Sequence, residues 1–535
     1  MRTYHRRNTH TTRRVSAPAT TETTRILGSP QQMAIWDELQ DGTTHLVVVA
    51  RAGTGKTTTI VEGLRYLSPS VKAGLVAFNK HIANELSTRI PPGAVACTLH
   101  SLGFKALRNR FGGVRVDDRG DKVQTILTAL FGNDDSSSGR FAVNAASRLL
   151  SLCKATLTSA DNWEELEALA ANYSIELNSC RDRVFEVIAP ALRQCRDDHR
   201  TVDFDDMIWL PVELGLFPEQ YDVLLVDEAQ DLNRAQQELA LRACPNGRTV
   251  LVGDDRQSIY GFRAADTESI PRMTARLRET DRGVKVMPLT VSRRCPVNVI
   301  QLAQNLVPDI EHLSDAPPGV VEAMTDEAAT DVMRPGDMVL CRTNAPLIQK
   351  AYHLIRRNIP CRVVGRDIGK GLQALIKRLH PNDLDDLLVR LTRHEEKERE
   401  SIVRRTNGKG NNQVAALEDR CDCLRFLVAA SSDLTDLRNK IDELFADLSE
   451  GGTPKDKVVL SSVHRAKGLE APRVYILRPE LMPHKMAKTP DEVQQERNIA
   501  YVAATRVKFE RGNSHTGRLI FVGNVSPAFS PPPPA

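Results

Sequence analysis

A chain of 535 residues with 41% hydrophobic and 26% charged side chains is long enough for roughly two to four domains with cores of their own. A formal net charge of only +4 excludes a globally basic exterior, so any nucleic-acid surface must be a local groove. No apolar run is long enough to span a bilayer. The ten cysteines are scattered, with Cys421 and Cys423 the closest pair; they read as thiols of a reducing compartment, with neither zinc nor an iron–sulfur cluster expected.

Residues 1–27 are rich in Thr and Arg, with Glu22 the only acid. They cannot bury a core and are predicted as a disordered basic tail able to lie along a phosphate backbone; an organellar transit peptide shares this composition. Folded sequence is expected from Gly28. A helix is predicted over 33–39, a buried strand over 46–49, a tight loop over 50–55 and a helix opening at Lys56. This is the phosphate-loop pattern, with Ala50 where the usual first glycine stands. N–H groups of the loop and the helix start present positive partial charge to a polyphosphate. Lys56 is placed to reach the β- and γ-phosphates, and the Thr57 hydroxyl to hold Mg²⁺. The nucleotide-binding candidates are therefore Ala50, Arg51, Ala52, Gly53, Thr54, Gly55, Lys56, Thr57 and Thr58. Alone, the loop specifies a nucleotide hydrolase or a kinase.

Strands over 73–77 and just before Thr98, with a helix between them carrying Ile82 and Leu86 on one face, continue an alternation that builds a parallel sheet. Over 103–202 apolar residues recur at helical spacing (Val123, Ile126, Leu127, Leu130) and the strands vanish, which predicts a helical insertion. The sheet resumes over 221–226, and this run ends in Asp227-Glu228. Beside a phosphate loop, two acids at a strand's C-terminal edge complete a hydrolase site. Asp227 holds the Mg²⁺ water shell, and Glu228 orients and deprotonates the attacking water. A strand over 249–252 runs into Gly253-Asp-Asp-Arg-Gln-Ser-Ile-Tyr-Gly-Phe-Arg263. A second α/β region is predicted from 284, where Pro288 limits how far the strand over 284–287 can run in a sheet interior. Strands over 338–341 and 361–364 follow, then a second helical insertion over 366–452 that includes Arg404-Arg405 and a turn at 407–410. Strands over 457–463 and 474–477, a helix over 495–506 and a strand over 518–523 close the region. Residues 527–535 are predicted as a Pro-rich extended tail.

Taken in order, these segments resemble one family, the UvrD/Rep-like DNA helicases of superfamily 1, and in detail its compact phage-type members. The resemblance covers most of residues 28–524 and is weakest in the two insertions. It implies an α/β fold of two RecA-like P-loop NTPase domains with parallel sheets, each carrying a helical insertion. The first comprises 28–102 and 203–283 around the insertion 103–202; the second comprises 284–365 and 453–526 around 366–452. It implies ATP and Mg²⁺. Gln32 matches the adenine-reading Gln, Lys56 and Thr57 the phosphate-loop pair, and Asp227 and Glu228 the metal and water-activating acids. Gln257 matches the γ-phosphate sensor that links nucleotide to DNA. Arg294 and Arg506 match two arginines that reach across from the second domain, and Glu470 the residue near the ribose.

On the DNA side the resemblance aligns Phe78, Tyr260 and Phe262 with aromatics that stack on successive bases, a sequence-tolerant contact worth ~1–3 kcal/mol per base. Thr98, His100, Arg263, His464 and Lys467 align with groups along the strand. Phe262 stands where the family usually has Trp, which leaves less stacking area. Arg293 stands where the family often has an adenine-stacking Tyr; a guanidinium also stacks on a base. The insertions are short, so translocation is expected more firmly than unassisted unwinding. The expected activity is an ATP-dependent DNA helicase moving 3′ to 5′ in repair, recombination or replication. The alternative is a single-strand translocase that strips bound proteins from DNA. A nuclease fusion has no room after Arg506, and a binding protein without a motor does not need the full set of catalytic groups. Stacking does not distinguish RNA from DNA, because it ignores the 2′-OH. The implied setting is a monomer on single-stranded DNA and single/double-strand junctions, with replication or repair proteins as partners and no membrane. It is cytoplasmic, in a bacterium or phage-infected cell, and nucleoid-associated, with organellar targeting by the tail the remaining possibility.

Overall fold

The computed structural model describes residues 28–529 apart from 135, 174, 178–179, 260–267, 406–410, 447–455, 486, 488–489 and 514. The basic tail, the block from Tyr260 to Arg263, the turn at 407–410 and the last six residues lie outside the described residues.

Short apolar strands linked through helices assemble in parallel, the inner ones buried on both faces. In the first half these are β1 (His45–Ala50), β2 (Ala73–Val76), β3 (Ala94–Cys97), β4 (Val223–Val226), β5 (Arg248–Gly253) and β6 (Val284–Leu289). They form one sheet in the order β3-β2-β4-β5-β1-β6, every pair parallel. This order sets β1, β5 and β4 side by side, so the loops that leave their C-terminal ends share one edge. In open α/β sheets that edge is where ligands bind.

One boundary read from the sequence is corrected. The strand beginning at Val284 was expected to open the second region, but it pairs with β1 over its whole length, from His45↔Val284 to Ala50↔Leu289. Periodicity identifies a strand and says nothing about which sheet receives it. Pro288 is tolerated because β6 is an edge strand.

The second half contains β7 (Val320–Met324), β8 (Met338–Cys341), β9 (Cys361–Val364), β10 (Phe445–Ala446), β11 (Val458–Ser462), β12 (Arg473–Leu477) and β13 (Arg518–Val522). They run in the order β7-β13-β12-β8-β11-β9-β10, again all parallel. The sequence reading missed β7, a short half-buried edge strand. The helix Pro490–Ala504 and the helix Val297–Gln304 cover one face of this sheet. The other face packs on Leu372, Leu424, Leu427 and Ile441 from the second helical stretch. That stretch is therefore continuous with the sheet's own core.

The first helical stretch has a separate core built on Leu127, Leu149, Leu150, Phe185 and Ile188. Its strands do not vanish entirely: Arg115–Val116 pairs with Thr201–Val202. At the C-terminal end, folded structure continues past the expected boundary. Pro527–Phe529 forms a short 3₁₀ turn, and Phe529 is buried edge-on against Phe521 at 5.0 Å. One aromatic that can be buried is enough to anchor a Pro-rich segment.

Candidate nucleotide cleft and nucleic-acid interface

The phosphate loop leaves β1 at Ala50, which is fully buried. Gly53 and Gly55 take φ of +72° and +82°, conformations that cost a side-chain-bearing residue free energy. A Cβ on Gly53 would also lie 2.6 Å from the Cβ of Arg294. Thr54 Oγ1 donates to the Arg51 carbonyl at 2.9 Å and closes the turn. The helix Lys56–Gly63 starts from Gly55 with no side-chain cap, which leaves its first N–H groups for an anion. Thr57 and Thr58 are half-buried on that first turn.

Asp227 and Glu228 follow β4 directly. Glu228 is held at φ 52°, a left-handed conformation costing about 1–3 kcal/mol for such a residue. Lys56 Nζ lies 3.4 Å from its carboxylate and Gln230 Nε2 donates to it at 2.5 Å. Burial, and then the adjacent Glu228 charge, push the Asp227 carboxyl up. Burial opposes ionisation of Glu228 as well, but Lys56 and Lys467 outweigh it and hold Glu228 below the usual carboxylate range. Burial likewise opposes the charge on Lys56, and four acids led by Glu228 more than restore it. The pair is thus split into one readily ionised acid and one that needs a cation. The Thr57 hydroxyl and the Asp227 carboxylate are hard oxygen donors. Among the described residues no group of three or more His, Cys, Asp or Glu is placed to hold a metal. A few oxygen ligands completed by phosphate and water suit Mg²⁺.

The second half closes the cleft. Arg506, just beyond the helix Pro490–Ala504, is fully buried. It donates to the carbonyls of Val502 at 2.9 Å and Leu469 at 3.3 Å, and to Gln257 Oε1 at 3.3 Å. Burial first and the Arg294 charge second pull its pKa down to about 10. Two guanidiniums at close quarters are a site for an anion. Arg294 Nε pairs with Glu470 at 2.9 Å, and Glu470 also meets Lys508 at 3.4 Å. Gln32 sits at the third position of the helix Pro30–Asp41, which starts three residues earlier than expected because Ser29 caps it and Pro30 suits its first turn. The Gln32 amide donates to Thr59 at 2.8 Å and accepts from Ser29 N at 3.0 Å and Arg293 at 2.9 Å.

Two expected placements differ. Lys467, aligned with the DNA strand, is instead buried in the cleft. Its ammonium bonds Asp231 at 2.5 Å and the Gln257 carbonyl at 2.8 Å. Arg51, read with the phosphate loop, spends its guanidinium on Asp254, Asp255 and Asp309. The sequence reading also passed over Gln495, Asn498 and Tyr501. They recur every three residues on one helix and bond Ile259 O, Ser258 O and Ala52 N across the cleft. Their recurrence at every third position of the helix Pro490–Ala504 was the available signal.

Among the residues aligned with the strand, Phe78 is 50% exposed, and Phe204, not singled out from sequence, is 54% exposed. Phe204 meets His100 edge-on at 6.3 Å. Burial lowers the His100 pKa below the usual imidazole range. Thr98 caps the helix Leu99–Phe111 through Ser101 N. His464 is half-buried just past β11. Tyr260, Phe262 and Arg263 lie outside the described residues, and the chain leading to them is gripped by Gln495 and Asn498.

Comparison with known proteins gives two family-model matches. The UvrD/REP helicase N-terminal domain matches residues 31–277 and the UvrD-like helicase C-terminal domain residues 385–510. The ATP-dependent DNA helicase Rep of Salmonella typhimurium is 22% identical over 87% of this chain and 87% of its own length. The ATP-dependent DNA helicase PcrA of Staphylococcus epidermidis is 24% identical over 86% and 80%. The ATP-dependent DNA helicase UvrD1 of Mycobacterium leprae is 29% identical over 42% and 33%.

Proposed function

The chain belongs to the UvrD/Rep-like helicases of superfamily 1 and is an ATP-dependent DNA helicase, and from that premise we propose that it moves 3′ to 5′ along a single strand and displaces the complementary one. The observation that carries the reading is the composition of the cleft. Lys56, Asp227, Glu228 and Gln257 come from the first half and Arg294 and Arg506 from the second, with Arg506 and Gln257 already 3.3 Å apart.

In this reading Glu228 accepts a proton from the attacking water, which its depressed pKa and its bond from Gln230 prepare it to orient. Lys56 and Gln257 on one wall, and Arg294 and Arg506 on the other, stabilise charge on the transferred phosphoryl group. Mg²⁺, held by Thr57 and Asp227, would neutralise the phosphates. Arg294 leaves Glu470 to reach the nucleotide, which makes Glu470 its resting partner. Loss of the γ-phosphate removes the anion that the two arginines share, and the halves part. Because Gln495 and Asn498 hold the backbone at Ser258 and Ile259, that movement is passed to the base-stacking block from Tyr260 onward. Phe78, His100 and Phe204 supply a second grip, and alternating grips advance the strand. The proposed setting is a monomer at single/double-strand junctions in replication or repair. No helix of the described residues is long and apolar enough to cross a membrane.

The test is ATPase and strand displacement on duplexes bearing a 3′ or a 5′ single-stranded tail. Displacement from the 3′ tail alone is expected. Displacement only from the 5′ tail overturns the direction, and strand-stimulated ATPase without displacement establishes a translocase instead.

A further inference from the structure

The Arg51 guanidinium is one of the most heavily bonded groups in the molecule. Its Nε and Nη2 meet the two oxygens of Asp309 at 2.9 and 2.7 Å. Its Nη1 meets Asp254 at 3.1 Å and Asp255 at 2.6 Å. The partners belong to different bodies. Asp254 and Asp255 follow β5 in the first half. Asp309 sits between Val307 and Ile310, both in the core of the second half. A two-pronged Arg–carboxylate pair is directional as well as strong, so the Asp309 contact forms only when the halves are docked.

Asp254 is the fixed point of this network. It is fully buried, and its Oδ2 accepts from Gln257 Nε2 at 2.6 Å and from Tyr501 Oη at 3.3 Å. Gln257 has a two-ended amide. With its N–H₂ given to Asp254, its Oε1 is left for Arg506. An ionised Asp254 accepts only, and this fixes which way the amide faces.

We propose that Arg51 is a positioning residue that reports docking of the second half to the γ-phosphate sensor Gln257, and that it is not a nucleotide ligand. When Asp309 is in place it occupies Nε and Nη2, and only Nη1 remains for Asp254 and Asp255. Asp254 then keeps its short bond to Gln257, and the sensor faces Arg506. When the halves part, Nε and Nη2 lose their partner and the guanidinium turns to take Asp254 in a two-pronged pair. Gln257 loses its anchor, and the site is disarmed until the halves close again. The device makes hydrolysis conditional on docking at a point removed from the phosphates themselves.

The inference rests on the ATPase reading above, and Asp309→Asn tests it. Asp309 is 52% exposed in its side chain, so the substitution does not threaten the fold. Steady-state ATPase is measured with saturating single-stranded DNA on the wild type, Asp309→Asn, Arg51→Met and the double variant. The expected result for Asp309→Asn is an unchanged KM for ATP with kcat lowered about tenfold, the scale of one charge-assisted contact. Arg51→Met removes the group that competes with Gln257 for Asp254, so the double variant should recover the kcat lost in Asp309→Asn, with the KM for ATP unchanged. A raised KM at unchanged kcat makes Arg51 a nucleotide ligand and overturns the proposal; so does an Asp309→Asn variant that behaves as wild type. A wild type without strand-stimulated ATPase refutes the functional reading itself, which separates the two failures.

Discussion

Two clusters of buried charge can be set side by side. In the first helical stretch, Lys122 pairs with Asp206 at 2.6 Å, and Lys154 pairs with Asp206 at 2.8 Å and Asp203 at 2.9 Å. The lysines come from the helices Asp121–Leu130 and Ser137–Thr156, and the acids from the start of Phe204–Glu213. Two cations meet two anions, all within the first half of the chain. In the cleft, Lys56 lies 3.4 Å from Glu228 and Lys467 bonds Asp231 at 2.5 Å, while Arg294 pairs with Glu470 and Arg506 bonds carbonyls and Gln257; the members come from both halves. A closed, balanced cluster pins helices together. An incomplete cluster shared between two bodies changes when an anion arrives or leaves. Burial of charge thus serves fixity in one place and switching in the other.

The comparison can be broken from either side. Glu228→Gln is expected to cut ATP turnover on the order of 10⁴-fold while ATP-dependent binding to single-stranded DNA and the melting temperature persist; ordinary turnover would remove Glu228 from its role. Arg506→Ala should lower kcat about 10³-fold, again in a folded protein, as read by calorimetry and steady-state kinetics together. Lys154→Met should do the opposite. It strands buried carboxylates and costs about 3–5 kcal/mol of stability, while kcat and KM of the folded protein at low temperature stay as they were; a melting temperature equal to wild type would deny the cluster its pinning role.

The smallest effect is one of pH. Burial raises the Asp231 carboxyl to about 6 from 3.8, with Lys467 working against it. The native chain therefore binds more protons at this group than the unfolded chain across that window, and its contribution to stability falls as pH rises through it. Asp231→Asn should remove that slope, so the melting temperatures of variant and wild type should converge or cross between about pH 4 and pH 6. Parallel curves would place the titration elsewhere.

What the sequence could reveal depended on distance along the chain. Lys56 and Thr57 are read from neighbours within a single loop, and their expected placement at a helix start is where they stand. Arg506 was legible because an adjoining block marks it. Arg51 was assigned by the same proximity and placed with the phosphates, whereas its partner Asp309 lies 258 positions away, beyond anything local pattern can relate. Lys467 was displaced for the same reason: Asp231 and Gln257 belong to the other half. The strand β6 had the right period and the wrong sheet, since pairing is decided by what lies alongside. Phe529 was hidden in a Pro-rich context that suggests an exposed tail, and only its packing on Phe521 shows otherwise.

The reassignment of β6 has a mechanical consequence. With Leu289 still in the first sheet, the described chain passes once from one half to the other, immediately after that residue. The crossing runs along the phosphate loop: Arg51 N donates to Leu289 O at 2.9 Å, and Arg293 N to Gly53 O at 2.8 Å. The crossing point and the phosphate loop therefore coincide. An ångström of slack taken up at this fulcrum swings the far ends of both lobes through a much wider arc, as a short lever drives a long one.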